Sequence, residues 1–396
     1  MTPVRLFGSV ALTATLAAAT PAAMGPANII RGCVDRFDAA ADYFPDKASL
    51  EDASNFAVEY HRSYKVVTVR EPYPGGRPER DVLVQCGAPR PALTGDLASA
   101  AVVTVPITSL FSASSTHVPP LVDLGRLEVL RGVDKIASIV SPQVLAHVAS
   151  AHVVEFSPGS VIDAEKIVAA RPSVLMTSGF PNSAYAAIRA AGVPVVANAE
   201  WLEPTALGRA EWVKYEALYL NEERQAQSAF ARVKAAYAGL KVKAAALPAA
   251  SRPLVMTGRA TRGTFTIAGG HSYVAALIAD GGGRYVWADN PATGSTTVDL
   301  EAELQRARDA DVWINGGGWK NRAAMLADEP RYAEFRAFRS GQIWVYERLM
   351  NDAGGNDYWT RSITRPDLLL ADLVKIFHPD LDPAHAFEWY MQVPGR

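Results

Sequence analysis

Apolar residues recur along this chain at two spacings, and the spacing changes near residue 100. Before that point FAVEY (56–60), YKVVTV (64–69) and VLVQC (82–86) flank the turn-rich EPYPGGRPERD (71–81). Short β-rich runs bounded by Pro and Gly predict a small antiparallel β-hairpin unit. After it, the β-branched runs AVVTVP (101–106), KIASIV (135–140), SVLMTS (173–178) and VPVVAN (193–198) are separated by segments of helical composition such as AEKIVAA and SAYAAIRAAG. That alternation predicts parallel strands with helices on the sheet faces. It returns at RPLVMTG (252–258), DVWING (311–316) and QIWVYE (342–347), so a second lobe of the same class is expected.

Between the lobes, Thr205 to Leu247 contains no proline and is bracketed by Pro204 and Pro248. Asn221 is expected to end one helix in a left-handed turn, and a second is expected to follow over 222–247. That second helix places Ala226, Phe230, Val233, Tyr237 and Leu240 on one stripe and would be about 39 Å long, enough to link two lobes as a stiff joint. Near the C-terminus, Pro366 fits a first helical turn, Leu369, Leu370, Leu373, Ile376 and Phe377 form a buried face, and Pro379 ends the helix. The fold class is therefore α/β: two open α/β lobes with central parallel sheets joined by a single long interlobe helix, plus an N-terminal disulfide-tied β-hairpin. The expected segments are a signal peptide (1–23), the hairpin extension (24–99), the N-terminal lobe (100–205), linking helices (206–249) and the C-terminal lobe (250–396).

The signal peptide is read from Arg5 ahead of LFGSVALTATLAAA and the small residues of TPAAMG. This apolar run is shorter than the roughly 20 residues that span a bilayer, so an exported, periplasmic protein is expected. In that compartment Cys33 and Cys86 are expected to bridge, because no CxxC spacing or histidine cluster offers them a metal. Lys plus Arg total 39 and Asp plus Glu 41, and no basic stripe is present, which excludes nucleic acid as an expected partner.

An acid, a helical run, a short apolar run and glycine occur in that order twice, at DAEKIVAARPSVLMTSG (163–179) and DLEAELQRARDADVWINGGG (299–318). Asp163 and Asp299 are N-caps, with Glu165 and Glu301 in the first turns. Carboxylates there favour the helix dipole without any partner, but one exposed acid per lobe also fits docking onto two basic sockets.

The stretches DAEKIVAARPSVLM, AGVPVV, NEERQAQSAFARV, IADGGG, VDLEAEL and RPDLLLADLVKIFHPDL, in that order over about 100–385, resemble the periplasmic substrate-binding proteins of ABC importers for ferric siderophores, cobalamin and related metal chelates. The resemblance implies a monomeric receptor that takes no cofactor and delivers its chelate to an inner-membrane ABC permease, with Glu165 and Glu301 docking on permease arginines. The cysteine-flanked hairpin exceeds the family's usual short first strand.

Ligands of open α/β sheets lie beyond the carboxyl ends of the strands. Phe111, Thr116, His117, Phe180, Trp201, Arg259, Arg262, Phe265, Trp319, Tyr358 and Trp359 are the candidates there, an aromatic and cationic set suited to a large, partly planar, anionic chelate. His271 and Tyr273 offer donors to a haem iron, with helix capping the competing role for His271. Two other readings stay open. An exported α/β hydrolase would use Ser272 of GGHSYV, which half-matches a nucleophile elbow. A zinc or manganese receptor would need clustered His and carboxylates, and the seven scattered histidines do not provide them.

Overall fold

A computed structural model describes residues 27–395; the expected signal peptide lies outside them. The extension is a sheet of four strands. β1 (Phe56–Tyr60), β2 (Tyr64–Val69) and β3 (Glu79–Gln85) form an antiparallel meander, and β4 (Ala101–Val105) joins β3 in parallel. The 101–105 run, expected to open the N-terminal lobe, therefore belongs to this sheet. Both of its faces are apolar and both find cover there, Val103 and Val105 beside Leu83 and Val102 beside Val82 and Val84.

The N-terminal lobe holds β5 (Leu110–Ser112), β6 (Leu130–Val133), β7 (Val154–Glu155), β8 (Val174–Thr177) and β9 (Val195–Ala197), all parallel, in the order β7-β6-β5-β8-β9. KIASIV does not supply the strand expected of it. Ile136–Ser138 is a 3-10 turn, and the strand is the less apolar LRGV before it. Gly132 explains the disguise, since a Cβ there would stand 2.4 Å from the Phe111 ring.

The C-terminal lobe contains β10 (Leu254–Thr257), β11 (Arg259–Thr261), β12 (Thr264–Ala268), β13 (Arg284–Tyr285), β14 (Ser295–Asp299), β15 (Val312–Ile314), β16 (Ile343–Val345) and β17 (Met391–Gln392). Its main sheet runs β13-β10-β15-β16-β17, parallel except for β17, while β11, β12 and β14 form a separate antiparallel sheet. The Pro366–Phe377 helix buries the leucine-rich face read from sequence.

The linking helix is Glu223–Ala245, and the helix before it ends at Asn221 in the left-handed region, φ 59°. Its first half buries Ala226 and Phe230 in the N-terminal core and its second half buries Tyr237 and Ala244 in the C-terminal core. Cys33 and Cys86 are bridged and tie the incoming chain to the end of β3.

At the start of this helix lies a fully buried ion pair, Lys65 Nζ to Glu223 Oε1 at 2.7 Å. Lys65 also donates to Asn221 Oδ1 at 2.9 Å and to the Leu218 carbonyl, and Glu223 Oε2 accepts from Asn28 Nδ2 at 2.8 Å. Burial lowers the lysine's pKa, and the Glu223 charge works against that fall. Removing one partner strands a buried charge, which costs about 3–5 kcal/mol, whereas replacing both by apolar groups is far milder. Urea unfolding should therefore show Lys65→Met destabilised by about that amount and Lys65→Met/Glu223→Met largely restored; a double variant weaker than the single would contradict the assignment.

Candidate functional site

The loops after β6 and β16 touch, because Asn351 Nδ2 donates to the carbonyls of Ala137 and Ile139 at 3.0 and 3.1 Å. The carboxyl ends of both five-stranded sheets therefore border a common cleft.

On the N-terminal side the chain leaving β8 carries Phe180 and the chain leaving β9 carries Trp201. Their rings stack at 4.8 Å and 16°. Trp201 is held by its Nε1–H donating to the Ser178 carbonyl at 2.9 Å, and Phe180 is 52% exposed. The extension contributes a wall here. Gly179, at φ 88°, lies so close to the Pro72 carbonyl that a Cβ would meet it at 1.9 Å, and Tyr73, Phe180, Tyr185 and Arg189 line a cavity of about 220 Å³. Between the lobes, Arg209 pairs with Glu200 at 2.8 Å and its guanidinium lies 5.0 Å from the Tyr273 ring.

On the C-terminal side Tyr346 stacks on the buried Tyr358 at 4.4 Å, and Trp359, 49% exposed, stands edge-on to both. Arg259 lies 5.4 Å from the Trp319 ring, whose Nε1–H is held by Asp328. Glu347 accepts from Gly318 N at 2.9 Å, and its burial raises its pKa.

Several expected ligand contacts are core residues instead. Phe111 is inside β5 against Phe156, and Phe265 is inside β12 among Trp313, Tyr332 and Phe335. Trp319 is itself mostly buried and supports Arg259. Arg262 occupies the exposed turn between β11 and β12, φ 54°, where the carbonyl of the following Gly263 accepts from Leu300 N. Thr116 is half-buried beside Ser114, whose hydroxyl caps its turn. Arg209, Tyr346 and Glu347 escaped the sequence reading. Tyr346 carried a signal, an aromatic at the carboxyl end of the QIWVYE run, whereas Arg209 lies in a linking segment that no strand pattern marks.

Ser272 caps the Tyr273–Asp280 helix, its hydroxyl donating to the Gly269 carbonyl at 2.7 Å and accepting from Ala275 N at 3.2 Å. No histidine or carboxylate bonds it among the described residues, so the hydrolase reading has no support, and Ser272 rather than His271 makes the cap. The duplicated segments do fold alike. Asp163 caps Ala164–Ala170 ahead of β8, Asp299 caps Leu300–Ala307 ahead of β15, and Glu165 and Glu301 are both exposed. Glu301 also pairs with Arg331. A larger cavity, about 710 Å³, lies outside the cleft between β3, β4 and the chain entering β9; guanidinium and carboxylate groups mix along it.

The sequence profile of a family described as "Periplasmic binding protein" matches residues 114–348. A periplasmic heme-binding protein from Pseudomonas aeruginosa superposes with a TM-score of 0.55 at 20% identity, covering 73% of this chain and 99% of that one. An apo periplasmic heme-binding protein from Roseiflexus sp. RS-1 gives 0.53 at 21% identity over 69% and 98%. An uncharacterized lipoprotein of Methanocaldococcus jannaschii is 29% identical over 219 residues, 54% of this chain and 50% of that protein. The chain thus spans about half the length of the curated relatives it matches.

His117, expected at the ligand, is fully buried, with Nδ1 3.0 Å from Ser112 Oγ. Burial alone pushes its pKa down from 6.5 to about 3. Between those values the unfolded chain takes up a proton that the folded chain refuses, so stability falls as pH drops through that window. His117→Gln should lose less stability than wild type between pH 7 and pH 4.5 in urea unfolding; an equal loss in both proteins would assign the acid sensitivity elsewhere.

Proposed function

Because this chain belongs to the periplasmic binding protein family, we propose that it is an exported, non-catalytic receptor that captures an iron-bearing chelate between its lobes and presents it to an ABC permease. The observation that carries this reading is the pair of partly exposed aromatic groups at the carboxyl ends of the two sheets, Phe180 on Trp201 and Trp359 on Tyr346. Apolar rings left open to water on both sides of a cleft gain most from a ligand with a broad, flat face. Arg259 adds a cation for a carboxylate at its edge. Heme, the ligand named for the Pseudomonas and Roseiflexus proteins, has that chemistry, and ferric siderophores with aromatic catecholates share it. Cobalamin, bulkier on both faces of its ring, fits the same rings less closely.

Glu165 and Glu301, each exposed in the first turn of a helix on its own lobe, are the proposed permease contacts. Arg331, which holds Glu301 here, would yield it to a permease arginine in the docked state.

Tryptophan-fluorescence titration of the mature protein with hemin, ferric enterobactin and cobalamin tests the ligand. Saturable quenching is expected with hemin or the catecholate, weakened about tenfold by Trp359→Ala, the loss of roughly 1.4 kcal/mol; quenching by none of the three would overturn the chelate reading. For docking, the Glu165→Ala/Glu301→Ala variant is expected to bind chelate as wild type does while cellular uptake is lost, and intact uptake would refute the two-foot arrangement.

A further inference from the structure

Asn351 follows β16 in the C-terminal lobe, and all four of its side-chain hydrogen-bonding positions are filled. Oδ1 accepts from Ala353 N at 3.1 Å and Gly355 N at 2.8 Å, which shapes its own loop. Nδ2 crosses to the N-terminal lobe and donates to Ala137 and Ile139. The receiving 3-10 turn is itself pinned, because Ile136 N donates to Glu155 Oε1 at 2.8 Å. Gly355 lets the two loops approach closely, since a Cβ there would lie 2.6 Å from the Ala137 carbonyl.

The chain that follows continues the seam. Asp357, Thr360 and Arg361 meet Val118, Val122, Ile139 and Val144 around a cavity of only about 60 Å³. Thr364 then lies beside Asp123, whose burial raises its carboxyl pKa. In sheet order this seam runs along the β6 and β16 flank, while Phe180 and Trp201 follow β8 and β9 on the other side of β5.

We propose that the Asn351 loop is an interlobe latch that closes one flank of the cleft and, with the linking helix, holds the two lobes at one separation. The ligand then enters past Phe180 and Trp201, and the two helices bearing Glu165 and Glu301 keep a constant spacing.

Native-state thiol labelling of the ligand-free mature protein tests this, and no chelate is needed, so the result stands whatever the cleft binds. The chain's two cysteines are bridged, so an introduced cysteine is the only free thiol. Val118→Cys places it at the edge of the N-terminal core, on the seam cavity shared with Asp357, Thr360 and Arg361, and Val196→Cys places one deeper in the same core as control. Asn351→Asp keeps the two acceptors that shape the loop and removes the two interlobe donors. It should speed labelling at 118 roughly tenfold or more, the effect of two lost hydrogen bonds on an opening equilibrium, and leave 196 unchanged. Gly355→Val, which forces the loops apart, should do the same. Unchanged labelling at 118 in both variants would overturn the latch, and equal acceleration at 118 and 196 would also overturn it, by showing loss of global stability instead.

Discussion

The Lys65–Glu223 pair fixes where the linking helix begins, and the lobe arrangement follows from that point. A buried ammonium is tolerable only when its donors are satisfied and its charge is balanced. Meeting those conditions brings together β2, the Asn221 turn, the first helical residue and, through Asn28, the start of the described chain. Asn221 adds β3 by donating to Gln85. Any large rotation of the helix at this end would expose or unpair the charge, so the joint resists bending where a glycine linker would yield.

Other carboxylates of the same segment fasten the extension in a similar way. Glu211 accepts the backbone N–H groups of Glu51, Asp52 and Ala53 while paired with Lys214, and Glu203 accepts those of Ser54 and Asn55 with the Trp212 indole. Asp372 repeats the device in the other lobe, taking the N–H groups of Glu388, Trp389 and Tyr390. Each acid ends an irregular segment whose backbone donors would otherwise be buried without partners. The four-stranded extension is thereby part of the linker's foundation, and its 71–76 turn reaches the cleft wall at Gly179.

Features governed by local chemistry were legible in the sequence: the left-handed stop at Asn221, the single apolar stripe of the linking helix, the leucine face of the last helix and the Asp caps of the duplicated segments. Features that depend on distant partners were not. Gly132, whose small size serves the Phe111 ring, hides β6, and the apolar character of β4 does not say which sheet it pairs into. The same limit governed the site. Phe111, Phe265 and Phe180 are alike in the sequence, each at or just past the end of an apolar run, and only tertiary packing makes the first two core and leaves the third open. His117 stood beside the right strand end, but its neighbours enclose it.

A receptor with a braced helix and a stitched flank has little freedom to signal occupancy by closing its lobes. Differential recognition by a partner requires some contact or motion that differs between the empty and loaded states. In this fold the groups free to change are the exposed rings of the cleft, since Phe180 and Trp359 are partly solvated whereas Tyr358, Trp319 and the Lys65 hub are enclosed. Ligand binding would then be registered at the rim of the cleft, with the helices bearing Glu165 and Glu301 as a rigid frame on either side. On that view the rigidity of the joint and the exposure of the aromatic rim are complementary: the first presets the gap, and the second confines the response to side chains.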